Sequence, residues 1–473
     1  MGRAVVVGSG PNGLAAALAL AAAGLQVEVL EASATPGGGT RSSELTLRGL
    51  IHDECSGFHP LAVDNRFTRT FHLGSYGLKW RWADVEYSHP LDGGRGGAVV
   101  RSVLETAHSL GRDRGSWQRV FGPLTGQFGR ITDDFLRPMT RVPSHPLSLA
   151  HFGMLAALPA SVLARNWRTP AGRALFAGVA AHAMRDMAAP MSSAIGVALG
   201  TAAHRYGWPV AEGGSAAISA AMVRALEDLG GKVTISTRVG SLDELGDPDV
   251  VMLDVAPAAA ARIIGDRLPG RVRRAFTRYR HGPGVFKVDY AIDGDVPWMH
   301  LDSRRAGTVH VGGEYAEVAW AEREVARGRM PARPFVLVGQ QYLADPTRSS
   351  GPWNPLYSYA HVPAGYTGDA TAAIERQIER FAPGFRERIV ARHVRTPRDF
   401  AEENANYVGG DVVTGLNSGR QLVFRPRAAL DPYSTGVPGV YLCSAATPPG
   451  AGAHGMCGYN AAESALKHLD RQP

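Results

Sequence analysis

The chain has 473 residues, 45% of them apolar, 20% charged and 8% aromatic, which exceeds what one hydrophobic core usually serves and excludes a disordered, collagenous or coiled-coil chain. The formal charge of +7 comes from 50 basic and 43 acidic residues. Only four of the basic residues are lysines, the arginines form no dense block, and nucleic acid is not expected as a partner. With three cysteines, Cys55, Cys443 and Cys457, a disulfide framework and a cysteine-rich zinc module are excluded, and a reducing, cytoplasmic compartment is expected.

The chain opens with a short β-branched run, Ala4 to Val7, a glycine turn, an Ala/Leu-rich helix from Leu14 to Ala23 ended by Gly24, and a second strand from Val27 to Leu30. This is the length of one right-handed βαβ crossover. Glycines follow the first strand at once, so no export signal is expected. From 66 to 204 the pattern is helical with few clear strands. Within it, Leu147 to Ala164 is the longest apolar run, interrupted by His151 and Pro159 and short of a membrane span. Arg137 and Arg141 precede it and Arg165, Arg168 and Arg173 follow. It reads as a lobe helix packed on the core or on a partner subunit, with a membrane-interface segment as the alternative.

The opening grammar returns at Gly213-Gly214, with a helix from Ala217 to Leu229, Gly230-Gly231, a strand from Lys232 to Ser236 and a β-rich run from Val250 to Val255. Val285 to Ile292 and Phe335 to Tyr342 read as strands, Pro346 to Pro355 as a linker, and Thr371 to Phe381 as an amphipathic helix. The tail, 439 to 469, is strand, glycine-rich turn and helix. The expected fold class is α/β: a Rossmann-type nucleotide-binding domain assembled from 1–65, 205–270 and 425–473, with an inserted β-sheet and helical substrate lobe from 66–204 and 271–424.

Gly8-Ser9-Gly10-Pro11-Asn12-Gly13 is G-x-G-x-x-G between a strand and a helix, with Glu31 ending the next strand. The first glycine permits the turn, the second lets the backbone approach a pyrophosphate, and the third allows close helix–strand packing; the helix N-terminus offers free N–H groups to phosphate. Glu31 is placed to accept hydrogen bonds from a ribose diol and would repel a 2′-phosphate. Two further segments point to FAD rather than NAD. The run from Thr35 through Gly38, Gly39 and Thr40 to Arg41 can approach phosphate closely. Gly450, Gly452, Gly455 and Gly458 lead into a helix whose dipole would stabilise negative charge on a reduced flavin.

These segments, VVVGSGPNGL and GGGTRS with HDECSGFHPL (52–61), EGGSAAIS (212–219), LADPTRSSGPW (343–353), NANYVGGD (404–411) and YLCSAATPPGAGAHGMCGYNAA (441–462), resemble the phytoene dehydrogenase-related FAD-dependent oxidoreductases. The resemblance is to an actinobacterial-type branch related to the vertebrate pyridine nucleotide-disulphide oxidoreductase domain protein. It implies that Val239 binds the adenine through its backbone and that Ser444 and Ala445 lie along the flavin. With Ala32 and Met456 added from the matched motifs, these residues complete the expected cofactor set. No C-x-x-C pair supports dithiol chemistry.

The implied activity is dehydrogenation or double-bond rearrangement in an apolar small molecule by hydride transfer to flavin N5. An amine-oxidase-like flavoenzyme and a flavin-bearing interaction or regulatory protein with little turnover are the alternatives. His59 and His454, each inside a matched motif, are the candidate proton-transfer residues. The remaining histidines show no metal-ligand spacing, and no catalytic metal is expected. Cys457 reads as a small buried hydrophobe. Asn404, Asn406 and Asp411 form a polar knot explained equally by substrate contact or by an Asn/Gly turn. Peripheral membrane contact and oligomerisation are left open.

Overall fold

A computed structural model describes residues 2–470. Five parallel strands form one sheet in the order Val440–Leu442, Val250–Leu253, Arg3–Val7, Gln26–Leu30, Lys232–Thr234. Parallel strands of this kind are buried on both faces, and Ala4, Val5 and Val6 are wholly inaccessible. The helix Pro11–Ala22 starts on a proline, whose missing N–H would be unpaired at that position anyway. Gly24, at φ +88°, turns the chain out of it. This helix is buried from Asn12 to Ala21, which is why it is built of alanine and leucine. It packs between the sheet and the helices Ala216–Asp228 and Met456–Leu469.

A second sheet of seven strands runs in the order Ile389–Arg395, Gly284–Asp293, Trp353–Val362, Val336–Gly339, Ala306–Val311, Val85–Pro90, Gly96–Val99. Neighbours are antiparallel except the Ala306–Val311 and Val85–Pro90 pair. A helical layer of Arg114–Phe135, Pro170–Ala181 and Ser193–Arg205 covers part of it through a core of Trp117, Trp167, Phe121 and Phe176.

The structure corrects four readings. Val85–Pro90 (VEYSHP) is fully buried in the large sheet although the sequence shows no alternation there, because both of its faces are covered. The strand in Phe335 to Tyr342 spans only Val336–Gly339, and Gln341–Ala344 turns helical. Leu147 to Ala164 is not one helix: Pro146–Ala156 and a second segment from Ala160 meet at 90°, since Pro159 cannot continue the first.

Pro346 to Pro355 is no linker. Arg348 within it is wholly buried, and its guanidinium bonds Asp53 Oδ2 at 2.6 Å, Asp345 Oδ2 at 3.2 Å and the Ala211 carbonyl at 2.7 Å. Asp53 in turn accepts the Ser215 N–H at 2.6 Å and the Ser42 hydroxyl at 2.8 Å. This clasp ties the segments around 42–53, 211–215 and 345–348 together. Among the described residues no single helix is long and apolar enough to cross a membrane.

Candidate active site

One cavity of about 840 Å³ lies between the carboxyl edge of the parallel sheet and the helical layer. Gly8, at φ +101°, makes the turn after the first strand and donates its N–H to the Leu30 carbonyl at 2.8 Å. A Cβ on Gly13 would lie 2.1 Å from the Gly8 carbonyl oxygen, so close helix–strand contact demands glycine there. Likewise a Cβ on Gly38 would lie 3.0 Å from Gly10 Cα, and one on Gly39 only 2.3 Å from the Tyr407 hydroxyl. The two glycine runs therefore abut, leaving bare backbone at the helix N-terminus, where the dipole favours an anion.

Gly8, Gly10, Pro11, Asn12, Glu31, Ala32, Gly38, Gly39, Thr40, Arg41, Val239, Ser444, Ala445, Gly452 and His454 all line this cavity. Gly13, Gly455, Met456 and His59 do not. Gly13 serves the packing just described. Gly455, at φ +71°, has no room for a side chain against Phe67 and Ala15, and Met456 is buried in the core beneath the parallel sheet.

Glu31 accepts from Ser9 N–H at 2.9 Å and Ser9 hydroxyl at 2.6 Å on one oxygen, and from Ser33 N–H at 2.8 Å on the other. Burial works against its charge, but these bonds and Arg41 outweigh it and hold the carboxyl below its ordinary range. It thus remains an anion on the cavity wall. Asn12 Oδ1 and Ser444 Oγ are buried with no hydrogen-bond partner. Unpaired groups of this kind are costly and are expected to meet a bound molecule.

Asp254, which the sequence reading missed, ends the strand Val250–Leu253 and accepts the Gly13 N–H at 3.0 Å. Burial, with the charge of Glu31 adding, pushes its carboxyl up to about 7. No local motif marks it; it is found only because the fourth strand lands beside the first. Asn406 is a clamp on this strand end, accepting from Ala256 N–H at 2.7 Å and donating to the Asp254 carbonyl at 3.1 Å. Asp411 is likewise structural: it caps Gly282 and Gly415 N–H groups at 2.7 and 2.8 Å and is fully buried.

The two candidate histidines part company. His59 Nε2 meets Ser215 Oγ at 2.8 Å, and that hydroxyl donates to the Ser56 carbonyl at 2.6 Å. The imidazole must therefore be the donor, and burial lowers its pKa to about 4 despite Asp53 nearby. His59 is a neutral structural brace, and the structure does not bring it to the cavity. His454 does line the cavity. Its Nδ1 accepts the Met456 N–H at 3.1 Å, which puts the proton on Nε2. Burial lowers its pKa to about 4 as well, so at neutral pH it is an uncharged hydrogen-bond donor rather than a base.

Cys457 Sγ lies 3.2 Å from the Gly450 carbonyl, outside the cavity wall. Burial pushes its thiol up to about 12, so it stays protonated and unreactive. Among the described residues no group of three or more His, Cys, Asp or Glu could hold a metal ion.

Part of the wall is apolar, with Phe58, Leu61, Leu149, Phe152, Ile195 and Leu199 contributing. Phe135 and Phe152 stack at 5.6 Å and 11°. Lys287 is one of the charged groups on the wall; its ammonium pairs with Asp289 and sits 4.3 Å over the Tyr357 ring.

Residues 6–72 match the family described as NAD(P)-binding Rossmann-like domain. The chain is 26% identical over 247 residues to pyridine nucleotide-disulfide oxidoreductase domain-containing protein 2 of Rattus norvegicus, a match covering 47% of this chain and 40% of that protein. It is 23% identical over a 514-position alignment to phytoene desaturase (neurosporene-forming) of Rhodobacter capsulatus, covering 97% of this chain and 92% of that enzyme. The fold is shared with putrescine oxidase bound to putrescine, at a TM-score of 0.60 and 18% identity, covering 99% of both chains.

Proposed function

We propose that this chain is an FAD-dependent oxidoreductase that dehydrogenates or rearranges double bonds in an apolar small molecule. One observation carries the reading: a glycine-built dinucleotide cradle and an apolar chamber are parts of a single cavity. When bound, the flavin supplies a two-electron acceptor for hydride. Gly8, Gly10, Asn12, Glu31, Gly38, Gly39, Arg41 and Val239 would hold its nucleotide and phosphates, and Ser444, Ala445, Gly452 and His454 its ring. The chain's own contribution is position and dryness. Phe58, Leu61 and Phe152 exclude water from the reacting carbons, and His454 Nε2–H offers a fixed donor without carrying charge. The three cysteines are free thiols, in keeping with a reducing, cytoplasmic setting.

The purified protein is expected to be yellow or to take up added FAD, and anaerobic mixing with an acyclic polyene such as phytoene should bleach the oxidised flavin band. Bleaching by amines alone would favour the amine-oxidase-like alternative, and a folded, colourless protein that refuses FAD would overturn the reading.

We also propose that the cavity opens at a membrane surface. Met139 both lines the cavity and is half exposed. Around it Val142 is 93%, Leu147 86%, Met154 66% and Leu430 90% exposed, with the Thr140 hydroxyl bonded to the Leu430 carbonyl. Arg141, its side chain partly exposed, adds a cation beside this apolar rim, an arrangement suited to the headgroup boundary of an anionic membrane. Wild-type protein should co-sediment with phosphatidylglycerol liposomes, and the doubly substituted Leu147→Glu/Met154→Glu protein should lose at least half of that binding. Absence of wild-type co-sedimentation removes this contact.

A further inference from the structure

We propose that the chamber ends in a recognition pocket for a neutral oxygen function, a hydroxyl or carbonyl, on an otherwise apolar substrate, read by His182 and Thr308. The proposal rests on the assignment of this cavity to an apolar substrate and goes beyond it by naming the polar end of that substrate.

Thr308 lies on the strand Ala306–Val311 and lines the cavity, yet it is completely buried and its hydroxyl has no partner. His310, two residues on and so on the same face of the sheet, is also fully buried. Its Nε2 lies 2.9 Å from Nε2 of His182, which follows the helix Pro170–Ala181 and lines the cavity. Trp208 closes the place, edge-on to His182 at 5.5 Å, but its indole N–H is spent on the Leu199 carbonyl at 3.2 Å. Tyr87, opposite Thr308 in the neighbouring strand, carries a second unpartnered buried hydroxyl.

Unmet hydrogen-bonding capacity therefore gathers at one end of a greasy chamber. Each such group costs about 1–3 kcal/mol when buried unpaired. A ligand oxygen would relieve that cost at Thr308 and would also pair with Nδ1 of His182, a partly buried ring whose Nε2 is already taken by His310.

The charge state selects which oxygen. Burial pushes His182 down to about 3 and His310 well below its ordinary value. Both imidazoles are neutral, sharing one N–H···N bond. Whichever ring donates, His182 Nδ1 presents a single donor or a single acceptor. Paired with a threonine hydroxyl, it satisfies an alcohol or a carbonyl, whereas a carboxylate or phosphate would meet two neutral groups there, the Lys287 ammonium elsewhere on the wall being already paired with Asp289.

The test uses the flavin-loaded protein and four probes of one skeleton: farnesol, farnesal, farnesene and farnesoic acid. Binding is followed by tryptophan fluorescence and by perturbation of the flavin band. Wild type should bind farnesol and farnesal about ten-fold more tightly than farnesene. Thr308→Val, which keeps shape and removes the hydroxyl, and His182→Phe should each bring that ratio towards one, with flavin content unchanged. Equal affinities in wild type, a ratio that survives both substitutions, tighter binding of farnesoic acid than of farnesol, or no binding of any probe would overturn the pocket. A colourless protein that still discriminates farnesol from farnesene would keep the pocket and sink the flavin assignment.

Discussion

Replacing Arg348 with methionine is expected to destabilise the protein by about 3–5 kcal/mol, the usual cost of leaving a buried ion pair half complete. The guanidinium bonds Asp53 and Asp345 on side chains no more than 1% exposed, so the substitution leaves two carboxylates facing each other away from water. The expected signature is a pH dependence. Burial alone would raise the Asp53 pKa, but Arg348 first, then the Ser215 N–H, hold it below its ordinary value.

A carboxyl whose folded pKa lies below its unfolded value of about 3.9 contributes its stability above that pH and loses it as pH falls through the folded value. Without Arg348 burial dominates, the folded pKa rises above the unfolded one, and acid now favours the folded state. The gap in unfolding midpoint between wild type and Arg348→Met should therefore be widest near pH 7 and should shrink as pH falls towards about 4. A gap that is constant from pH 7 to pH 4, or smaller than about 1 kcal/mol, would show that the clasp is not an ion pair of consequence.

Gly458→Ala should cost the protein its cofactor before it costs the fold. A Cβ at this position would stand 1.7 Å from the Asn12 carbonyl oxygen, 2.6 Å from its carbon and 3.0 Å from Ala16 N. All three are backbone atoms, so no rotamer change makes room, and the helices Pro11–Ala22 and Met456–Leu469 must separate. Overpacking typically costs about 1–3 kcal/mol. Here the displaced residue is Asn12, in the first helical turn lining the cavity, which would hold the phosphates of a bound dinucleotide.

Flavin retained after gel filtration should fall by about ten-fold, the equivalent of some 1.4 kcal/mol, together with a lowered melting temperature. Gly126→Ala is the control: it is exposed in mid-helix with nothing within 4 Å of its added carbon, and it should leave flavin content unchanged and stabilise slightly. Wild-type flavin content in Gly458→Ala would mean that this helix contact does not govern the cradle.

The parts of the fold that could be read from the chain are those whose signal is local. Thr371–Phe381 is a helix over the range its periodicity requires, and the strand, glycine turn and helix at 3–22 and the tail helix at 456–469 stand where glycine spacing puts them. Where packing replaced periodicity the reading failed. Val85–Pro90 shows no alternation because water touches neither face. His59 sits in a matched motif, yet its ring turns to Ser215, 156 residues away.

The amino-acid sequence by itself determined that two glycine-rich turns, each leading into a helix, would offer bare backbone to a dinucleotide, because a missing Cβ acts on its immediate neighbourhood. Only the tertiary structure decided which buried groups meet, at that cavity and away from it, and in what state. Asp254 against Gly13, Arg348 against Asp53 and His182 against His310 are pairs 241, 295 and 128 residues apart. Their charges and protons are set by burial and by partners that exist only once the two sheets and the helical layer have closed on one another.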